Sequence, residues 1–164
     1  MKTHSIACEA WLPQSPEEAF PFFAEARNLE AMTPDWLNFR IVSKTPIQMR
    51  VGARIDYMLR FKGIPLRWTS EITAWKPPHL FIDEQRRGPY RLWVHTHEFT
   101  AQDGGTRCRD DVTYAVPGGS LVNRLLVRKS LKGIFTHRCQ ALFRHFAVPG
   151  LRPARLVSMS FSTE

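Results

Sequence analysis

The 164-residue chain is poor in cysteine, has no long apolar run and carries none of the short motifs that mark phosphate or zinc binding. Its three cysteines, Cys8, Cys108 and Cys139, are odd in number and widely spaced. That pattern excludes a disulfide framework and a finger-type zinc site, and it suits reduced thiols in the cytoplasm. No apolar stretch approaches the roughly 20 residues that a bilayer-spanning helix needs. The start, Met1-Lys2-Thr3-His4-Ser5, opens no signal-peptide core, so a cytoplasmic protein is expected. A Gly-rich phosphate loop, an RNA-binding aromatic signature, a paired Cys/His finger and an HExxH-like companion for the histidines are all missing. No cofactor or metal is therefore expected. The net charge of +8 could attract nucleic acid, yet the basic residues are spread along the chain. Their densest group is Arg124, Arg128, Lys129 and Lys132, with Arg152 and Arg155 further on. Dispersed charge of this kind reads as solvated surface, and no nucleic-acid partner is expected.

What is present is ordinary globular composition, 43% hydrophobic and 23% charged, in a length suited to a single domain. Ile6 to Leu12 reads as a strand. Ser15 can cap a helix that has Pro16 at its first position and Glu18 three residues after the cap, with Ala19, Phe20, Phe22 and Phe23 supplying its apolar face. A second short helix is expected over Asn28 to Met32. The period then changes to two: short strands are expected over Phe39–Lys44 and Leu80–Arg86. Arg54–Lys62 alternates, with Ile55, Tyr57, Leu59 and Phe61 on one face. After a turn at Gly63-Ile64-Pro65, Leu66–Trp75 places Leu66, Trp68, Ile72 and Ala74 together. Arg91–Ala101 and Thr106–Ala115 flank Asp103-Gly104-Gly105, a hairpin signal. Ser120 to Phe146 reads as one helix of about 27 residues, or about 40 Å. Val127, Leu131, Ile134, Phe135, Leu142 and Phe146 share its apolar face, which Arg128 and Arg138 interrupt. The order is α+β: seven antiparallel strands, two short helices and a long C-terminal helix. The expected domain covers residues 1–148, and residues 149–164 read as a loosely held tail.

The strings Trp68 with Ile72, Trp75-Lys76-Pro77-Pro78, Asp83-Glu84-Gln85 and Gly88-Pro89-Tyr90 carry a resemblance, joined by Trp93-Val94-His95-Thr96-His97-Glu98-Phe99. Gly104-Gly105-Thr106 and Asp111-Val112-Thr113-Tyr114 follow at matching intervals. Together they resemble the START/Bet v 1-like (SRPBCC) superfamily, and more narrowly a bacterial ligand-binding SRPBCC family, over residues 5–146. The resemblance implies a helix-grip fold, a curved antiparallel sheet closing on the long helix around a ligand cavity. Members bind or turn over hydrophobic small molecules such as lipids, polyketides and hormones. A hydrophobic small molecule is thus the expected partner.

Trp93, His95, His97 and Phe99 alternate along one strand and so face one side, about 6.6 to 6.8 Å apart from one to the next. Two imidazoles beside two aromatics fit a cavity wall that hydrogen-bonds a polar group on an apolar ligand. They fit equally a structural role, and one of them could serve as a general base. Tyr57, Trp68 and Tyr114 lie on apolar strand faces, as cavity lining or as core. Arg128 and Arg138 either snorkel at the edge of the helix stripe or hold a ligand carboxylate or phosphate. Asp83, Glu98 and Asp111 are expected on the solvated face, paired with arginines. The candidate ligand-binding set is Tyr57, Trp68, Trp93, His95, His97, Tyr114, Arg128 and Phe135, with no catalytic residue assigned. Binding of a hydrophobic or amphipathic molecule is the expected function. A cyclase/aromatase- or hydrolase-like enzyme with a histidine base is the alternative.

Overall fold

A computed structural model describes residues 2–163. Eight antiparallel strands form one sheet: β1 (His4–Leu12), β2 (Arg40–Ile41), β3 (Arg54–Phe61), β4 (Ile64–Lys76), β5 (Leu80–Arg87), β6 (Leu92–Gln102), β7 (Gly105–Ala115) and β8 (Arg155–Thr163). Their spatial order is β2-β3-β4-β5-β6-β7-β1-β8. Helices α1 (Pro16–Ala24) and α2 (Asn28–Ala31), with a 3-10 turn at Asp35–Leu37, connect β1 to β2. Helix α3 (Gly119–Val122), a π turn at Asn123–Val127 and helix α4 (Arg128–His145) follow β7. The architecture is the α+β helix-grip arrangement expected from the sequence.

Local chemistry explains most of these elements. Ser15 Oγ accepts from the Glu18 backbone N–H, while Glu18 accepts from the Ser15 N–H at 2.9 Å, which completes the capping box of α1. Two hairpins turn on adjacent residues that both have positive φ, Lys62-Gly63 and Asp103-Gly104, the backbone that matches the right-handed twist of the strands. The first of these moves the expected turn, since Ile64 and Pro65 already belong to β4. Register shifts at Thr69/Ser70 and Ile72/Ala74 break the β4–β5 ladder, and such bulges bend a strand and increase its twist.

Three expectations change. The strand at Phe39–Lys44 shrinks to Arg40–Ile41, because Asn38 takes a left-handed conformation after the 3-10 turn. The long C-terminal helix is divided by the π turn, where buried Asn123 accepts a hydrogen bond from the Tyr114 hydroxyl at 2.9 Å. Most consequentially, the segment read as a loose tail supplies β8, which pairs with β1 from His4↔Thr163 to Trp11↔Arg155. Its polar side chains add Ser5···Ser162 and His4···Thr163 hydrogen bonds. The missed strand carries no strict alternation of buried residues, because it lies at the sheet edge and only Met159 and Phe161 pack inward.

Leu131, Phe135, Cys139 and Leu142 of α4 recur at helical spacing and are buried against the sheet. Two apolar clusters result. One joins α1, α2 and the C-terminal end of α4 around Phe20, Phe23, Phe81, Phe99 and Phe146. The other joins β1, β7 and the middle of α4 around Ile6, Val112, Tyr114, Leu131 and Phe135. Residues of both clusters contribute walls to one internal space.

Candidate functional site

A cavity of about 400 Å³ lies between the sheet and α4. Ligand pockets commonly measure roughly 300–1,000 Å³. Its walls are mostly apolar: Phe23, Ala26, Leu29 and Met32 from the α1–α2 region, Ile55, Leu59 and Leu66 from the sheet, and Leu131, Ile134 and Phe135 from α4. Tyr57 and Trp68 stack nearly parallel with ring centres 5.8 Å apart. Trp68 then meets Trp93 and Tyr90 edge-on, at 5.3 and 5.5 Å. Gln85 secures Tyr90 by clamping its backbone, with Nε2 donating to the carbonyl at 2.7 Å and Oε1 accepting from the N–H.

Most of the polar groups that enter this apolar space form one cluster. Register creates it. Asp83 on β5 is directly opposite His95 on β6, and His97 on β6 is directly opposite Asp110 on β7. All four side chains project to the concave face, where α4 adds Arg138, only 8% exposed. His97 faces a carboxylate at each ring nitrogen, Asp83 Oδ2 at 3.0 Å from Nε2 and Asp110 Oδ1 at 2.8 Å from Nδ1. His95 Nε2 lies 3.1 Å from the same Asp110 oxygen, while its Nδ1 is 3.9 Å from Asp83 Oδ2. Arg138 Nε sits 3.1 Å from Asp110 Oδ2, near enough for charge pairing but off-angle for a hydrogen bond. Arg138 Nη2 is a more distant neighbour of His97 Nδ1, at 3.5 Å. Nδ1 thus stands between the Asp110 carboxylate and the Arg138 guanidinium, with the carboxylate its closer neighbour.

The electrostatics follow from these partners. Burial disfavours a charged His97, but Asp110 and Asp83 outweigh it and raise its pKa above 6.5. Burial also acts on His95, where positive His97 reinforces it and the Asp110 hydrogen bond only partly offsets it, so that pKa falls. Burial alone would push Asp110 up; Arg138 and the hydrogen bonds from His95 and His97 hold it well below 3.8 instead. Asp83 is lowered for similar reasons, with burial overcome by the two histidines and Ser70. The two carboxylates thus face Arg138 and a His97 whose charged form they favour, while the charged form of His95 is disfavoured. Ser70 extends the network: its hydroxyl donates to Asp83 Oδ1 at 3.2 Å and accepts from Trp68 Nε1 at 3.1 Å.

Six of the eight sequence candidates line the cavity: Tyr57, Trp68, Trp93, His95, His97 and Phe135. Tyr114 does not. It is buried in the second apolar cluster with its hydroxyl committed to Asn123. Arg128 is also outside, because β8 places Phe161 beneath the start of α4 and the guanidinium stacks on that ring at 5.0 Å. Asp83 moves the other way, from an expected solvated position into the site, whereas Asp111 pairs with Arg109 on the solvated side as expected. Asp110 was overlooked. Its signal was parity, since Thr106, Cys108, Asp110, Val112 and Tyr114 alternate along β7 and the other four are buried. Arg138 proves fully integrated rather than snorkelling, and Ser70 and Tyr90 join the wall unforeseen.

The sequence profile of the polyketide cyclase/dehydrase and lipid transport family matches residues 12–143. The chain belongs to that family. It lies within the SRPBCC superfamily, as the Trp93–Phe99 row and its neighbouring strings implied. Members of the SRPBCC family bind hydrophobic ligands. The fold is shared with protein Ms6760 from Mycobacterium smegmatis, at TM-score 0.70 and 18% identity over 90% of this chain and 93% of that one. Protein CV1439 from Chromobacterium violaceum is similar at TM-score 0.69 and 11% identity, over 87% and 96%. Ginseng major latex-like protein 151 from Panax ginseng follows at 0.67 and 11%, over 90% and 100%. At these identities the likeness concerns the fold. No curated protein sequence matches the chain significantly. No helix among the described residues is long and apolar enough to cross a membrane.

Proposed function

We propose that the chain binds an amphipathic small molecule in the cavity between the sheet and α4. The observation that carries this reading is the segregation of the cavity wall: a broad apolar and aromatic surface, with polar atoms gathered around Asp83, His95, His97 and Arg138. Apolar burial supplies affinity without direction, and a single polar cluster supplies orientation. A molecule with a hydrocarbon or polycyclic body and one oxygen-bearing end fits both demands. His95 offers that end a neutral imidazole, and Ser70 and Tyr57 offer hydroxyls.

A second reading is favoured by one feature of His95. Its Nε2–H is directed at Asp110, which leaves the Nδ1 lone pair at the cavity side and 3.9 Å from the nearest Asp83 oxygen. A neutral imidazole oriented by a buried carboxylate is the arrangement of a general base, so a cyclase- or aromatase-like reaction on an enolisable ligand is the enzymatic alternative.

A thermal-shift and tryptophan-fluorescence screen of fatty acids, lipids and aromatic polyketides tests the binding reading. Trp68 and Trp93 both line the cavity, so occupancy is expected to perturb their emission and raise the melting temperature together. A screen in which no compound does either contradicts the reading. Turnover lost in a His95→Gln variant that still binds ligand would favour the enzyme over the binding protein.

A further inference from the structure

The polar cluster has a second geometric property that ligand orientation does not require. Among the described residues, Asp83, His95 and His97 are a group in which each side chain offers one donor atom within 4.8 Å of the others. Asp83 Oδ2 is 3.0 Å from His97 Nε2 and 3.9 Å from His95 Nδ1. The remaining nitrogen of each ring meets a single oxygen, Asp110 Oδ1, at 2.8 Å from His97 and 3.1 Å from His95. Asp110 is backed in turn by Arg138. Proteins fix metal-binding imidazoles in this way, with the outer nitrogen donating to a carboxylate and the inner lone pair aimed at the ion.

We propose that His95 Nδ1, His97 Nε2 and Asp83 Oδ2 form a three-ligand site for a divalent transition-metal ion whose open positions face the cavity. Three sequence-adjacent strands and one helix build it. Asp83 comes from β5, both histidines from β6, and the supporting Asp110 and Arg138 from β7 and α4. Bonds of about 2.0–2.2 Å to zinc set donor atoms roughly 3.0–3.5 Å apart. Asp83 and His97 already meet that spacing, and His95 Nδ1, 3.9 Å from Asp83 Oδ2 in a donor set spanning no more than 4.8 Å, must move inward to complete it. The ion takes the place of the hydrogen bond that joins His97 Nε2 to Asp83. A nitrogen-rich donor set suits zinc, iron, cobalt or nickel over calcium or magnesium.

The sequence concealed the site because the third ligand, Asp83, lies on a different strand, twelve residues before His95 and fourteen before His97, with no motif spacing to mark it. Sheet register alone brings it in. The open positions accept water or an oxygen donor, such as a carbonyl, enolate or phenolate, at the polar end of a molecule in the cavity. The site stands apart from the binding reading, since the ion alone can be tested without any organic ligand.

Cobalt(II) titrated into the chelator-stripped full-length chain is the test. The expected result is one ion bound per chain, visible-range d–d absorption without thiolate charge transfer, and displacement by zinc. A Cys8→Ala/Cys108→Ala/Cys139→Ala variant is expected to bind equally well, because none of these thiols lines the cavity. His95→Gln and Asp83→Asn are expected to abolish stoichiometric binding, and Asp110→Asn to weaken it roughly 10- to 100-fold. Anomalous diffraction at the cobalt edge locates the ion in the unmodified chain, so the result does not depend on the variants folding. Absence of stoichiometric binding, thiolate bands lost in the cysteine variant, or anomalous density away from Asp83, His95 and His97 would each overturn the proposal. Organic ligands binding the metal-free chain would leave the cavity reading intact in that event.

Discussion

Asp110 and His97, directly opposite each other on the β6–β7 ladder, meet through Oδ1 and Nδ1 at 2.8 Å in the protein interior. The same carboxylate reaches His95 and Arg138, so one buried anion holds three basic groups in place. Its neighbour in sequence, Asp111, pairs with Arg109 toward solvent. Adjacent aspartates thereby serve opposite faces of one strand, and their replacements should separate cleanly. Asp110→Asn leaves Arg138 and His97 buried without their shared counter-charge and should cost about 3–5 kcal/mol. Asp111→Asn should cost less than about 1 kcal/mol. Urea unfolding of the two variants measures the difference, and similar losses would contradict the buried-anion account.

Stability of the metal-free chain should peak near pH 6.5. The His97 pKa is raised, so its contribution is complete below the unfolded value of 6.5 and is lost as pH rises through the folded value. The His95 pKa is lowered, so below pH 6.5 the unfolded chain takes up a proton that the native chain refuses, and stability falls. Asp83 and Asp110, both depressed, keep their contributions above 3.8 and lose them as pH falls further through their folded values. Melting temperature measured from about pH 3 to 9 should show declines on both sides of the maximum. His97→Gln should flatten the alkaline limb, and a steady rise through pH 8 in the unmodified chain would count against the assignment.

Much of this was legible in the sequence. Alternation located β3 through β7 to within a residue or two, since each has one buried face, and the Ser15–Glu18 capping box marked α1. The histidine row was readable because side chains two apart on a strand must share a face. What could not be read was lateral. Asp83 and Asp110 join the site through cross-strand register, which one strand's pattern does not contain, and a carboxylate beside arginines looks like surface. Arg128 and Arg138 both interrupt the apolar side of one helical pattern. Only β8, itself hidden by its edge position, distinguishes the one that stacks on Phe161 from the one that enters the core.

That edge strand yields a further expectation. β8 covers the outer hydrogen-bonding side of β1, and an uncovered strand edge invites pairing with another chain. Deleting residues 151–164 should lower the melting temperature and promote association, as light scattering would detect. A truncated chain that stays monomeric and equally stable would show that β8 adds little.

Cavity volume and polar chemistry should also be separable. Ala26 lines the cavity and is buried, so Ala26→Phe directs a ring into space that a ligand would occupy. Ligand affinity should fall at least about tenfold, with a stability change no larger than the roughly 1–3 kcal/mol typical of overpacking. Competition with a fluorescent fatty acid reads the affinity. Unchanged binding in a folded variant would place the ligand elsewhere.

The most direct measurement is a crystal structure of the chain with the best compound from the ligand screen. The account predicts density between the sheet and α4, with the apolar body against Phe135, Leu131 and Trp68 and the oxygen-bearing end near His95, Ser70 or Arg138. Density outside that space, with side chains filling the cavity, would contradict it.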